Sequence, residues 1–384
     1  MKKKALALST GFAMFSMFFG SGNLVFPILV GQQSGGHYLW AALGIFLTGV
    51  IVPFLGVFGM MLFRGSSKEF FSSIGSVGTF VFSLCALALM GPFGVLARCL
   101  TVAHGAIEII FPFAPLVWTS LLLCAVIYFL TVNKNRIIPV LGTILTPVLL
   151  ISIFAIALVA LLKSPLSEEA IANMSWSSFK NGFFQGYQTM DLLAAFFFSS
   201  FVIAHLQSKA QMQDVCEKSS LKVFCKAACI GGGILTVVYF FLVLLGSMYA
   251  VELSNTAPQD MFGLIALKTL GAMAAPCICV AMVLACLTTA VVLASLFAEF
   301  LQKEVLREKV GSRLSLLTTL LISFIISTLG FSGIAKFLGP LMEMIYPALI
   351  VLTLVNIAHK FWGFRSSHWP VTLTLFVRIC STAL

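Results

Sequence analysis

Phe18-Phe19-Gly20-Ser21-Gly22-Asn23-Leu24-Val25-Phe26-Pro27 interrupts the first apolar segment of the chain, residues 5–30, near its middle. In hydrocarbon a backbone N–H or C=O released from a helix has no water to pair with, so such a break is tolerated only where the freed groups are buried in protein or line a cavity. A second apolar segment opens in the same manner, with Asn181-Gly182-Phe183-Phe184-Gln185-Gly186-Tyr187-Gln188-Thr189-Met190-Asp191. The reading of the fold turns on these two interruptions.

Composition sets their surroundings. Hydrophobic residues make up 60% of 384 positions and charged residues only 9%, against about 25% charged in a soluble domain. The chain is therefore an all-α polytopic membrane protein. With about 20 apolar residues needed per span, spans are predicted near 5–32, 38–63, 77–101, 115–132, 138–162, 180–205, 224–249, 273–300, 314–330 and 337–357. An eleventh stretch, 369–384, is short and carries Arg378, so about 10–11 spans and a shortened C-terminus are expected. Met1-Lys2-Lys3-Lys4 leads into a segment that continues as a full span without a small-residue cleavage site, and no removable signal is expected.

The net charge of +10 orients the chain in a lipid bilayer and does not recruit nucleic acid. Most of the basic residues cluster at alternate span ends: the first residues, Arg64 and Lys68, Lys134 and Arg136, Lys209 to Lys226, Lys303 to Arg313, and Lys360 with Arg365. The positive-inside rule then puts the N-terminus in the cytoplasm; the cytoplasmic (inner) membrane is the expected location. The ten cysteines form no framework. Cys277-Ile278-Cys279 lacks histidine or acidic companions, so small buried hydrophobes are the reading and no bound metal is predicted. The pattern predicts no oligomeric state.

Five spans in residues 1–163 and five in 180–357 are joined by an extracytoplasmic connector, 164–179, and followed by a cytoplasmic loop and incomplete eleventh span, 358–384. Five is odd, so the second set enters from the opposite side, the arithmetic of an inverted repeat. Breaks at corresponding places in two such halves mark a carrier's binding site. An enzyme would need a nucleophile and base or a metal set, and the H-E-x-x-H, G-x-S-x-G and P-loop patterns are missing. The five histidines fall at span ends, as loop residues would. A channel would favour a repeated pore motif or rings of charge. No enzymatic activity and no cofactor are expected.

The first-helix motif, from Gly11-Phe12-Ala13-Met14-Phe15 through Gly20-Ser21-Gly22-Asn23 to Pro27, resembles that of branched-chain amino acid:cation symporters of the LIV-II or BrnQ type. Asn181-Gly182-Phe183 with Thr189-Met190-Asp191 is similar to that family's sixth helix, Ala285-Cys286-Leu287-Thr288-Thr289 with Ala298-Glu299-Phe300 to its eighth, and Ile345-Tyr346-Pro347 to its tenth. The resemblance implies a LeuT-like five-plus-five inverted repeat with discontinuous helices 1 and 6. It also implies a secondary carrier that imports leucine, isoleucine and valine by cation symport, with sodium as coupling ion and protons as the alternative. A non-transporting sensor or defective carrier on the same fold is the other reading. Two departures stand out: members usually have twelve spans, and a family Pro-Arg-Thr motif reads Ala97-Arg98-Cys99 here.

The break residues suit a zwitterion. The half-helix after the first break offers free N–H groups and a positive dipole end to a carboxylate, and Gly20 and Gly22 let backbone approach closely. Expected substrate contacts are Gly20, Ser21, Gly22, Asn23, Gly186, Tyr187 and Thr189; Ser21 and Asn23 can equally cap the half-helix. Expected cation or proton contacts are Phe19, whose carbonyl ends the preceding half-helix, Asp191, an intramembrane carboxylate, and the Thr288 and Thr289 hydroxyls, ligands by resemblance to LeuT-like folds. Asp191 can instead cap the second half-helix, and the threonines can bond back to their own helix.

Overall fold

A computed structural model of the chain describes residues 2–132, 150–162, 175–211, 217–271 and 275–363, together with Pro370 and Thr374. Every regular element among the described residues is helical, as hydrocarbon demands of a chain with no closed sheet. The first span is two half-helices, α1 (Lys2–Phe18) and α2 (Ser21–Ser34). The second is α3 (Tyr38–Phe46), a π-helical turn (Leu47–Ile51) and α4 (Val52–Leu62). After the short α5 (Ser67–Phe71), the third span comprises α6 (Gly75–Met90) and α7 (Val95–Ile110). It is broken at Gly91-Pro92-Phe93-Gly94, where a continuous span over 77–101 was expected. α8 (Leu116–Val132) and α9 (Leu150–Leu162) complete the first half.

The sixth span is again split, into α10 (Ser175–Gln188) and α11 (Asp191–Gln211). α12 (Glu217–Met248), α13 (Met261–Leu270), α14 (Ala275–Phe300), α15 (Ser312–Ser327) and α16 (Gly330–Trp362) follow. α10 starts inside the stretch expected to be connector, and α16 runs past the expected span 337–357 at both ends, without a break at Pro340 or Pro347. Residues 138–149, most of the connector and nearly all of the eleventh stretch lie outside the described residues.

Packing relates the halves reciprocally. α1 and α2 of the first half lie along α12, and α10 and α11 of the second half lie along α3 and α4. Each interface is closed by a facing pair of glycines. A Cβ on Gly31 would overlap the Val243 carbonyl oxygen and one on Gly246 that of Ile28; a Cβ on Gly44 would overlap the Phe179 carbonyl oxygen and one on Gly182 that of Ala41. Backbones at this separation gain dispersion contacts that larger side chains would prevent, and lipid offers no hydrophobic drive to replace them. First helix on second helix, in both directions, is the packing of a five-plus-five inverted repeat. At the periphery, α8 and α15 show apolar faces suited to lipid: Trp118, Leu122 and Phe129 on one, Leu314, Leu321 and Ile325 on the other.

Charges outside this core pair locally. Glu299 accepts from Lys303 at 2.8 Å, and Lys68 reaches Glu304 at 3.3 Å. One histidine departs from the span-end expectation: His104 is buried within α7, with Nδ1 2.8 Å from the Thr119 hydroxyl and Nε2 3.5 Å from Glu108.

Candidate functional site

The first break is narrower than its sequence suggested. Phe19 still donates back to the Phe15 carbonyl at 2.9 Å, Gly20 is extended, and Ser21, Gly22 and Asn23 already belong to α2. Gly20 has no side chain to accept from the first N–H groups of α2, so these carry the positive end of its dipole unsatisfied. Asn23 turns its Oδ1 back toward the Gly20 N–H at 3.4 Å, the local capping reading of this residue.

The second break falls at Thr189 and Met190, later than the glycines that announced it. Met190 takes φ of 59°, a left-handed conformation uncommon outside glycine, and its N–H reaches the Tyr187 carbonyl at 3.1 Å. Gly182 and Gly186 are helical and serve packing: a Cβ on Gly186 would strike the Thr48 hydroxyl in the π-turn of the second span. Thr48 also donates to the Phe183 carbonyl at 2.8 Å. Gly186 therefore seats α10 on the second span and does not open the helix, contrary to the expectation that it lines the break.

Asp191 heads α11 with its carboxylate at the positive end of that half-helix. The two breaks meet there. Asn23 Nδ2 donates to Asp191 Oδ2 and lies equally 2.7 Å from the Tyr239 hydroxyl, which donates to Asp191 Oδ2 at 3.1 Å. Asn23 and Asp191 are each only 2% exposed. A Cβ on Gly22 would stand 3.4 Å from Thr189 Cα, so the backbones at the two breaks touch. The Thr189 hydroxyl donates to the Gly186 carbonyl at 2.9 Å. Among the described residues no basic side chain pairs with Asp191.

Thr289 of α14 faces the first break, its methyl and hydroxyl 3.5 and 3.7 Å from where a Gly20 Cβ would lie. Both threonine hydroxyls bond back to the Ala285 carbonyl, Thr288 at 2.8 Å and Thr289 at 3.2 Å. Thr288 sits roughly 100° around the helix from Thr289. Phe19 is buried and stacked on Phe15. Ser21 accepts from the Cys99 thiol of α7 at 3.4 Å. Tyr187 is buried against Tyr346 of α16, ring centroids 4.8 Å apart, and the Tyr346 hydroxyl accepts from the Leu192 N–H at 3.3 Å.

Three participants lay outside the sequence expectations. Tyr239 sits in a long apolar helix, where the only signal was a hydroxyl at span depth; Tyr346 stood in the tenth-helix motif and Arg98 in the altered third-span motif, neither with a site role assigned. Arg98 of α7 is 1% exposed; its Nη1 donates to the Gln188 carbonyl and its Nη2 to Gln188 Oε1, both at 2.7 Å. The last carbonyl of α10 is thus already taken by a fixed cation. Of the two half-helix C-termini, the end of α1, beside Thr289, is the one without such a partner among the described residues. Chemically, the site offers free N–H groups to an anion, helix-end oxygen to a cation, and one buried carboxylate between them.

Comparison with known proteins agrees with this architecture. The sequence profile of the family described as "Branched-chain amino acid transport protein" matches residues 2–383. Two Staphylococcus aureus proteins named as branched-chain amino acid carrier proteins are similar. The one from strain bovine RF122 / ET3-1 is 28% identical over 97% of this chain and 86% of its own length; the one from strain MRSA252 is 29% identical over 91% and 81%. Among solved structures, the inward-facing conformation of Mhp1 superimposes with a TM-score of 0.66 at 14% identity, over 92% of this chain and 77% of that one. MhsT in complex with L-phenylalanine gives 0.63 at 16% identity, over 97% and 98%. At such identities the structural likeness establishes the fold, the LeuT-like arrangement expected from the sequence. A transporter fold and a transport-family profile coincide over the same residues: the chain is a membrane transporter, not an enzyme, and belongs to the branched-chain amino acid transport protein family.

Proposed function

We propose that this transporter carries leucine, isoleucine and valine inward across the cytoplasmic membrane by symport with sodium, its N-terminus in the cytoplasm. The observation that carries the reading is the junction of the two broken spans through Asn23, Asp191 and Tyr239. It holds a positive helix end, at Ser21 and Gly22, where a substrate carboxylate can accept backbone N–H groups. The buried rings of Tyr187, Tyr346 and Phe26 supply a dry wall for an apolar side chain. Sodium takes hard oxygen ligands, and the end of α1 at Phe19 with the facing Thr289 hydroxyl is the placement these contacts favour. Alternating access then exposes this one site to each side in turn.

A proton-coupled version is favoured by one observation: Asp191 is buried with an amide and a hydroxyl as donors and no basic partner among the described residues. Such a carboxylate can carry the coupling proton. Radiolabelled leucine uptake into proteoliposomes holding only this protein, under a sodium gradient and then a proton gradient, separates the two. Accumulation under sodium alone, competed by isoleucine and valine, is the expected result. Accumulation under protons alone would replace the ion. Binding without accumulation under either gradient would overturn the carrier reading in favour of a sensor.

A further inference from the structure

We infer that Arg98 reads the substrate's carboxylate and makes this site selective for carboxylate-bearing solutes. This rests on the carrier reading of the same site. A guanidinium is charged at any physiological pH, and this one is buried within the bundle. None of the ion pairs among the described residues includes it. Among the described residues the guanidinium's only hydrogen bonds are the two to Gln188, a neutral residue, and its Nε–H is buried without a partner. Phe26 and Phe331 lie under it, ring centroids 5.0 and 5.7 Å from Cζ.

The charge balance is incomplete as it stands. The end of α10 supplies a negative pole of about half a charge, and the two ring faces attract the cation weakly. Neither replaces the full counter-charge that a buried cation calls for. Gln188 can do no more: its carbonyl and Oε1 already accept from the guanidinium, and its Nε2, beside Gly339 of α16, is a donor. An arriving carboxylate can accept from the remaining donors of the guanidinium fork, a geometry that arginine matches and lysine does not.

Position supports the same assignment. Arg98 holds the carbonyl of Gln188; the next residue, Thr189, touches Gly22 in the first turn of α2. The neighbouring Cys99 meets Ser21 at 3.4 Å. The guanidinium and the first turn of α2 therefore meet adjacent residues, Gln188 and Thr189, of the same break. Asp191 lies three residues beyond Gln188, so fixed charges of opposite sign border the break, as the two ends of a zwitterion require.

The test is equilibrium binding to the purified full chain in lipid nanodiscs, with radiolabelled leucine competed by leucine and by leucinamide, which lacks the carboxylate. Wild type should prefer leucine by about 100-fold. Arg98→Gln should bring the ratio to within about threefold, by weakening leucine and leaving leucinamide nearly unchanged. Arg98→Lys should retain only part of the preference, and it decides the matter if the glutamine variant does not fold. Equal weakening of both ligands would overturn the inference and leave Arg98 as a prop for α10; an unchanged ratio in either folded variant would overturn it as well. If wild type instead binds a different carboxylate in a screen of amino and organic acids, the substrate reading fails while the Arg98 reading is tested with that solute and its amide. A wild type whose tightest ligand has no carboxylate, or that binds no carboxylate at all, overturns the assignment of Arg98.

Discussion

Removing the Asn23 amide should uncouple the two broken spans, and the size of the effect follows from its bonds. Asn23→Ala deletes a 2.7 Å donor bond to a buried carboxylate and a 2.7 Å contact with the Tyr239 hydroxyl. A hydrogen bond to a charged group contributes about 1.5–3 kcal/mol and a neutral one about 0.5–1.5 kcal/mol. The sum is roughly 3 kcal/mol, more than a hundredfold in any equilibrium that requires the junction. Asp191 keeps the Tyr239 hydroxyl at 3.1 Å as a donor, so the carboxylate is weakened and not abandoned. Asp191→Ala should be at least as severe, and the double variant should be far less harmful than the product of the two. A coupling energy of about 2 kcal/mol is expected, a factor of about thirty. The assay is the initial rate of gradient-driven leucine uptake at low substrate, normalised to protein in the membrane. Effects that multiply to within about twofold would refute the claim that these residues act as one junction.

Further outcomes can be checked independently. Gly186→Ala should lower the thermal midpoint of the purified protein, because its Cβ would strike Thr48 Oγ1 and overpacking costs about 1–3 kcal/mol. Gly233→Ala in α12, with open space around the new Cβ, should leave the midpoint unchanged or raise it, by up to about 1 kcal/mol of helix propensity. Thr289→Ala should raise the sodium concentration needed for half-maximal uptake and leave the leucine concentration dependence at saturating sodium nearly unchanged; the opposite pattern would remove Thr289 from the cation site. Asp260 lies in the turn between α12 and α13, outside the membrane-spanning helices. Burial first, and the Glu108 carboxylate second, push its carboxyl up to about 6 from an ordinary 3.8. A raised acid favours the folded contact when protonated, so the packing of this turn on α7 is firmest below the ordinary range and weakens as pH rises through about 6. Hydrogen-exchange protection at residues 259–262, corrected for the intrinsic pH dependence of amide exchange, should fall as pH rises from about 4 to about 7, and Asp260→Asn should flatten that dependence.

Much of this architecture was legible in the residue order. Gly20 and Asn23 marked the first break, Asp191 marked the start of the second half-helix, and an odd number of spans per half implied inversion. The sequence misled at Gly182 and Gly186, because glycine in a membrane helix serves both to open the ladder and to let backbones touch, and the pattern is the same. The residue that bends the second break is Met190, whose left-handed φ no propensity announces. Gly91-Pro92-Phe93-Gly94 did carry a signal for the interrupted third span, masked by the hydropathy on either side. Tyr239 was illegible for a different reason: its partner Asn23 is 216 positions away, and local pattern says nothing about which span a hydroxyl will face.

That separation has a consequence for how the molecule is made. Synthesis proceeds at about 5–20 residues per second, so α1 and α2 wait roughly 10–40 s before Tyr239 exists, and only somewhat less for Asp191, 168 positions on. Throughout that interval the Asn23 amide sits at bilayer depth without the carboxylate and hydroxyl that later accept from it. The first span must borrow partners meanwhile, from water or from the insertion apparatus, and it reaches its final place only when the seventh arrives. Assembly of this junction waits on contacts between the two halves, and anything that slows translation between them prolongs its most exposed moment.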